Sequence, residues 1–215
     1  YDVSTEKIKH LYLWTDEKYK PILLSESEKK YLSKKYNLPT EFILFVSVLE
    51  ERKNLNAIVN VSDILTSLGK NIRFVLVGRP GFGYNKISSE ILKRSEHITH
   101  LNYVEDEDLI KLYNMAKLFF FPSFYEGFGL PALEAMKCGI PVVTSNNSSL
   151  PEVVGEGGIM GDAEDYEFFA NSIIKLVNDR DYYLEFKNKA LQQAEKFSAS
   201  FHIQELIKVF NNLNL

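Results

Sequence analysis

The chain has 215 residues, 45% hydrophobic, 13% aromatic and 25% charged, with 11 glycines and 7 prolines. That length holds one medium domain able to bury roughly 70% of its unfolded surface, and the composition excludes disordered and collagen-like classes. A formal net charge of -4 leaves no bulk basic field to hold a polyanion, which argues against nucleic acid as a partner.

Tyr1 to Pro21 is aromatic and mixed in charge. It lacks the basic region, apolar stretch and small-residue cleavage site of an export signal, and nowhere does an apolar run approach the roughly 18 residues of a spanning helix. No transmembrane segment is expected. The alternation at Ile8 to Trp14 reads as a strand or as an interdomain tail, and the absence of an initiating Met suggests a piece of something longer. Ser25 with Glu28 forms a capping box for a helix carrying Leu32 and Tyr36 on one face and ending at Leu38-Pro39. Phe42 to Val48 is an apolar strand, Leu55, Ile58, Val61 or Ser62, Leu65 and Leu68 form a helical stripe stopped by Gly69, and Ile72 to Val77 is a second buried strand. Strand, helix and strand in this order form a right-handed parallel crossover.

The alternation continues with a loop at Gly78 to Gly83, a helix over Tyr84 to Ser95, and a short strand at Ile98 to Leu101. Glu105 to Asp108 supplies an acidic first turn for a helix with Leu109, Leu112, Tyr113 and Ala116. Leu118 to Phe121 is a strand cut by Pro122, Leu130 to Lys137 a helix, and Ile140 to Thr144 a strand. Three helical stripes follow: Tyr166, Phe169, Ala170, Ile173 and Val177; then Leu184, Lys187, Leu191 and Ala194; then Phe201, Leu206, Val209 or Phe210, and Leu213. All three read as core-packing faces. The fold class is therefore α/β, a doubly wound parallel sheet with helices on both faces. The single cysteine, Cys138, has no partner for an internal disulfide and reads as a small packed residue in a chain from a reducing compartment.

In such a sheet, ligands collect beyond the carboxyl ends of the strands. The loop from Pro122 to Leu130 is the most informative: Gly127 and Gly129 permit close backbone approach or positive φ, and the helix opened by Pro131 offers unpaired amides to an anion. Glu126 precedes the glycines, suited to the hydroxyls of a sugar, and Glu134 lies one turn inside the helix, suited to a ribose diol. A diphosphate between two carboxylates needs cations, and Arg52, Lys53 and Arg79 stand at the ends of the first two strands. The GRPGFG run at Gly78 to Gly83 has the wrong glycine spacing for a dinucleotide fingerprint. His10, His97, His100 and His202 lack zinc-finger and HExxH spacing, so no metal site is expected. Neither GxxxxGK[ST] nor GxSxG is present.

The run PSFYEGFGLPALEAMKCGIPVVTSNNSSLPEVVGEGG resembles the C-terminal, donor-binding domain of the retaining glycosyltransferases of family 4, formerly glycosyl transferases group 1. These enzymes place two Rossmann-like domains around a cleft, the GT-B fold. Their hallmark pair of glutamates with seven residues between them corresponds to Glu126 and Glu134, extended here by GIPVVTS, Pro151-Glu152 and Gly157-Gly158. The similarity covers residues 40 to 195, and Ile8 to Pro21 resembles the stretch that enters this domain. The resemblance implies an interdomain segment over 1–21 and a nucleotide-sugar-binding domain over 22–215.

It further implies that Glu134 binds the ribose hydroxyls, that Glu126 sits beside the transferred sugar with Lys53 as the second catalytic group, and that Gly127, Phe128, Gly129 and Leu130 approach the sugar-phosphate end. Tyr103 and Val104 would lie near the base. The family places an Arg five residues before the Lys. Val48 occupies that position, which leaves Arg79, preferred to Arg52, as the compensating charge. The implied activity is transfer of a hexosyl group, mannosyl by likeness of VLEERKN and GRPGFGYNKI to mannosyltransferases, from a nucleoside diphosphate sugar with retained configuration. GDP-mannose is the favoured donor and a UDP-sugar the alternative, with no metal and no other cofactor. A sugar or glycolipid acceptor would be held mainly by an N-terminal domain this chain lacks, so the isolated domain should be inactive. A cytoplasmic location follows, with peripheral association at the inner membrane face. The competing readings are a nucleotide-sugar-binding module without turnover, an interaction domain that has lost the site, and a sugar-nucleotide epimerase.

Overall fold

A computed structural model describes residues 8–212 of the chain. The expectations for Tyr1 to Lys7, for Leu213 and for the Phe201 side chain lie outside the described residues. Six strands form one wholly parallel sheet: β1 Phe42–Val46, β2 Arg73–Val77, β3 Ile98–Leu101, β4 Leu118–Phe121, β5 Val142–Ser145 and β6 Ile159–Gly161, in the spatial order β3-β2-β1-β4-β5-β6. Leu44 of β1 stands between Val75 of β2 and Phe119 of β4. A strand flanked on both edges and covered on both faces must be apolar throughout, and Phe42 to Phe45 and Leu118 to Phe121 are all fully buried.

Helix α1 (Glu26–Tyr36) precedes the sheet and begins with both halves of the Ser25/Glu28 capping box. Helix α2 (Leu55–Ser67) joins β1 to β2 and α3 (Ser88–Lys93) joins β2 to β3. Helix α4 (Asp106–Met115) returns from β3 to β4, α5 (Leu130–Lys137) joins β4 to β5, and α6 (Leu150–Val154) precedes β6. Because the direction of travel reverses after β3, right-handed crossovers send α4 and α5 to the face opposite α2 and α3. Helix α7 (Tyr166–Asn178) then packs on α2, and α8 (Arg180–Glu195) packs on α5 and α7. Phe74 meets Phe120, and Phe120 meets Phe169 of α7 with ring centroids 5.1 Å apart, so strand and helix layers share one aromatic seam.

The structure departs from the sequence reading at five places. Of the two readings of residues 8–14, strand or tail, the strand does not form; Tyr12 rests edge-on against Phe197 with ring centroids 5.4 Å apart, and the chain beyond is held by Ile22 N–H donating to Asn114 Oδ1 and Lys137 Nζ donating to the Thr15 carbonyl. The helix expected over Tyr84 to Ser95 is broken into a 3-10 turn at Tyr84–Lys86 and the short α3. Leu68 lies beyond the end of α2 and is exposed. Helix α8 buries Phe186, Ala190, Gln193 and Ala194 while leaving Leu184 exposed, because it rests on the turn at Gly155–Gly157, where only small or slender groups fit and Gln193 donates to the Val153 carbonyl. Helix α9 (Ala199–Asn212) leaves Ile203, Leu206, Ile207 and Phe210 exposed, so Leu206 and Phe210 of the last predicted stripe do not lie in the core. Strand β6 and helix α6 were not anticipated.

Candidate functional site

The strand order reverses between β1 and β4, and the loops leaving those two strands carry the candidate residues. After β1 the backbone makes a 3-10 turn over Glu51–Lys53 and passes through the left-handed region at Asn54, with φ 54°. The Asn54 side chain accepts from Ala57 N–H to cap α2 and donates to two carbonyls, Pro122 at 3.1 Å and Ala163 at 2.7 Å. One buried amide thus ties together the chain segments that follow β1, β4 and β6.

That staple fixes Lys53, whose Nζ donates to both oxygens of Glu126, at 2.6 and 2.8 Å. The two side chains are 5% and 7% exposed, and the ammonium also lies 5.1 Å from the centroid of the Phe121 ring. Burial pulls the Lys53 pKa below its ordinary value, against the opposing hydrogen bond and charge of Glu126. Arg52 adds a half-exposed second cation: it donates to the Tyr125 carbonyl at 3.0 Å, to Glu126 Oε2 at 3.4 Å and to Glu50 at 2.8 Å. The backbone of Glu126 is gripped as well, its N–H donating to Ser148 Oγ at 2.8 Å and its carbonyl accepting from Ser149 Oγ at 3.0 Å.

Arg79 stands apart from this cluster. Its loop is laced to residues 49–51 by backbone hydrogen bonds, but its exposed side chain makes no hydrogen bond or ion pair among the described residues. The second cation beside Glu126 is therefore Arg52.

Gly129 opens α5 at φ 105°, where a Cβ would lie 2.9 Å from Leu150, so the fold itself requires glycine there. Gly127 differs: a Cβ would meet nothing within 4 Å, and its φ is not positive. The amides of Gly127, Phe128, Gly129 and Leu130 donate to no group among the described residues. Four consecutive free N–H groups at a helix start are suited to an anion.

Glu134 lies one turn further on. Its Oε2 accepts from the Tyr113 hydroxyl at 2.8 Å, and Tyr113 is wholly buried. Burial raises the Glu134 pKa above the usual carboxylate range; the Tyr113 and Tyr19 hydroxyls and Lys18 pull it back, and Asp106 adds to the rise. Burial also pushes the Cys138 thiol up to about 12, with the Glu134 charge adding to it, as suits a packed, unreactive cysteine. On the loop after β3, Tyr103 is exposed, whereas Val104 is buried in the core.

Sequence reasoning did not single out Tyr113, Tyr19, Asn54, Ser148 or Ser149 as site residues. The two serines carried a legible signal, since hydroxyls just before Leu150-Pro151 are suited to bonding neighbouring backbone. The others gain their roles only from chain segments brought together by the fold.

A six-stranded parallel sheet in this order, with helices on both faces, has the fold of the Rossmann-like half of GT-B glycosyltransferases. The chain belongs to the family described as glycosyl transferases group 1, whose sequence profile matches residues 28–193. It is 34% identical over 209 residues to the serotype-specific mannosyltransferase WbdA of Escherichia coli, covering 92% of this chain and 25% of that protein. It is 38% identical over 172 residues to the O-antigen chain mannosyltransferase B of the same species, covering 76% of this chain and 44% of the relative. The chain thus spans a quarter to under a half of these relatives. Among solved structures, Anabaena Alr3699/HepE in complex with UDP-glucose superposes with a TM-score of 0.83 at 21% identity, covering 99% of this chain and 59% of the other. No described helix is long and apolar enough to cross a membrane.

Proposed function

We propose that the chain is the donor-binding half of a retaining hexosyltransferase that uses a nucleoside diphosphate sugar. The observation that carries the reading is the row of free amides at Gly127 to Leu130, flanked by Lys53 and Arg52 on one side and by Glu134 one helical turn away on the other. The spacing suits a ribose on Glu134, a diphosphate over the amides, and the sugar beside Glu126, with Tyr103 and the Val104 backbone toward the base. Segment 1–21 acts as the connection to an acceptor-binding domain, and 22–215 holds the donor.

In the transfer, the bond from the anomeric carbon to the phosphate oxygen breaks, a bond to an acceptor oxygen forms on the same face, and the acceptor hydroxyl gives its proton to the departing phosphate oxygen, so negative charge grows on the diphosphate as it leaves. The Lys53 ammonium has three N–H groups, and two are engaged with Glu126. The third is available to the phosphate, and with Arg52 and the helix amides it stabilises the charge as it develops. The names of the relatives favour a mannosyl donor, GDP-mannose, over a UDP-sugar.

Calorimetry with GDP, UDP and the matching nucleosides tests this. The wild-type chain should bind one diphosphate more tightly than its nucleoside. R52A should lose about 1 to 2 kcal/mol for the diphosphate and little for the nucleoside, and R79A should lose neither. Equal losses for diphosphate and nucleoside, or a diphosphate advantage that survives R52A and K53M/E126Q alike, would remove the cation cluster from the site.

A further inference from the structure

Tyr113 is a fully buried phenol whose hydroxyl has one hydrogen-bond partner among the described residues, the Glu134 carboxylate. It sits on α4, packed against Phe119 of the sheet with ring centroids 5.7 Å apart. On its outer side the Tyr19 ring meets it edge-on at 5.8 Å. The segment carrying Tyr19 is itself held at both flanks, by Asn114, which bonds Ile22 N–H and the Lys20 carbonyl, and by Lys137, which bonds the Thr15 carbonyl. A glutamate side chain on a helix has three rotatable bonds, and a half-buried one without a fixed partner would wander among rotamers. Here a rigid ring anchored in the core defines where one carboxylate oxygen rests.

We propose that Tyr113 is the positioning residue of Glu134: its hydroxyl pins Oε2 so that Oε1 and the remaining lone pair of Oε2 are presented together to a vicinal diol, with the Tyr19 segment closing the outer side. This rests on the reading of Glu134 as the ribose ligand. A carboxylate oxygen accepts two hydrogen bonds, so the pinned group keeps enough acceptor capacity for both ribose hydroxyls. Preorganisation of this kind improves affinity because the carboxylate need not be ordered when the ligand arrives. It also predicts a titration signature, since a donor to the charged form holds the carboxyl ionised against the pull of burial. The groups facing Glu134 are Tyr113 and Asp106 from α4, Lys18 and Tyr19 from the N-terminal segment, and Cys138 just past the end of its own helix.

The test uses Tyr113→Phe, Tyr19→Phe and Glu134→Gln in the 215-residue chain, with GDP, UDP and their 2′,3′-dideoxy counterparts. Y113F should weaken the preferred diphosphate by a factor of about 3 to 10 and leave its dideoxy counterpart unchanged. Independently of any ligand, carbon-detected NMR of the Glu134 carboxyl should show it titrating at higher pH in Y113F than in wild type. Equal weakening of both nucleotides, or an unmoved Glu134 titration in the folded variant, overturns the proposal; should Y113F not fold, the smaller shift expected of Y19F decides in its place. E134Q separates the two levels. If E134Q loses affinity only when the ribose hydroxyls are present but Y113F does not, positioning fails and the ribose reading stands. If E134Q ignores the hydroxyls, the ribose reading itself fails.

Discussion

Glu126 and Glu134 belong to one loop-and-helix segment and are both withdrawn from water, yet they meet that condition in opposite ways. Glu126 is matched by charge, with the Lys53 ammonium on both oxygens and Arg52 behind. Glu134 is matched by neutral donors, the phenols of Tyr113 and Tyr19, which moderate but do not cancel the rise that burial imposes. The first arrangement ties local stability to the presence of a cation. The second keeps a carboxylate available at some cost to the fold. A site that must hold an anion beside one acid and a diol against the other is served by that difference.

The largest effect should come from breaking the first arrangement. Lys53→Met leaves the Glu126 carboxylate buried opposite an apolar group, and removing one member of a buried pair costs about 3 to 5 kcal/mol. Urea denaturation should record that loss, and K53M/E126Q should recover most of it because no uncompensated charge remains. A double variant as unstable as K53M would show that the pair matters through packing and not through charge.

Glu134→Gln probes the second arrangement and should move in the other direction. The folded-state pKa lies above the ordinary carboxylate value, so the native state binds the proton more readily than the unfolded chain. Stability contributed this way is greatest at low pH and falls as pH rises from about 4.5 through the raised folded pKa. E134Q should flatten that slope and leave the chain as stable as wild type, or more so, at pH 7, while diphosphate affinity drops by about 1 to 2 kcal/mol. A thermal scan series across pH 4 to 8 checks the slope, and a steeper fall in E134Q would contradict the assignment.

The smallest change is expected for Arg52→Ala in the absence of nucleotide. Its side chain is 46% exposed, and ion pairs at that exposure contribute about 0 to 1 kcal/mol. An R52A chain destabilised as severely as K53M would mean that the two cations act as one unit.

The alternation of strands and helices was legible because parallel strands buried on both faces must be continuous apolar runs, and Phe42 to Val46 and Leu118 to Phe121 carry that pattern. Strand β6 escaped because Ile159, Met160 and Gly161 are too few to show any period. The phase of α8 escaped because its buried face contains Ala190 and Gln193, residues chosen to fit a glycine turn and not for hydrophobicity. At the site, the two glutamates and Lys53 stood out by type and position. Their partners did not: Lys53 lies 73 positions from Glu126, and Tyr113 reads as one more apolar member of a helical stripe until α4 is set beside α5. The preference for Arg79 followed from neighbouring glycines. In the fold, Arg52 instead reaches the Glu126 cluster, because the turn before Asn54 directs it there.

Asn54 narrows the amino-acid alphabet at a position that touches no substrate in the reading above. Its side chain has to accept from an amide, donate to two carbonyls and tolerate a left-handed backbone. Glycine meets the torsion but brings no donor. Aspartate accepts but cannot donate, and glutamine carries the same amide one methylene too far out. With one residue meeting all three demands, purifying selection for the architecture alone would hold this site as fixed across descendants as any catalytic acid. A saturation library read out by folding, with no substrate supplied, should therefore show Asn54 among its most intolerant positions, while Glu134 accepts glutamine freely.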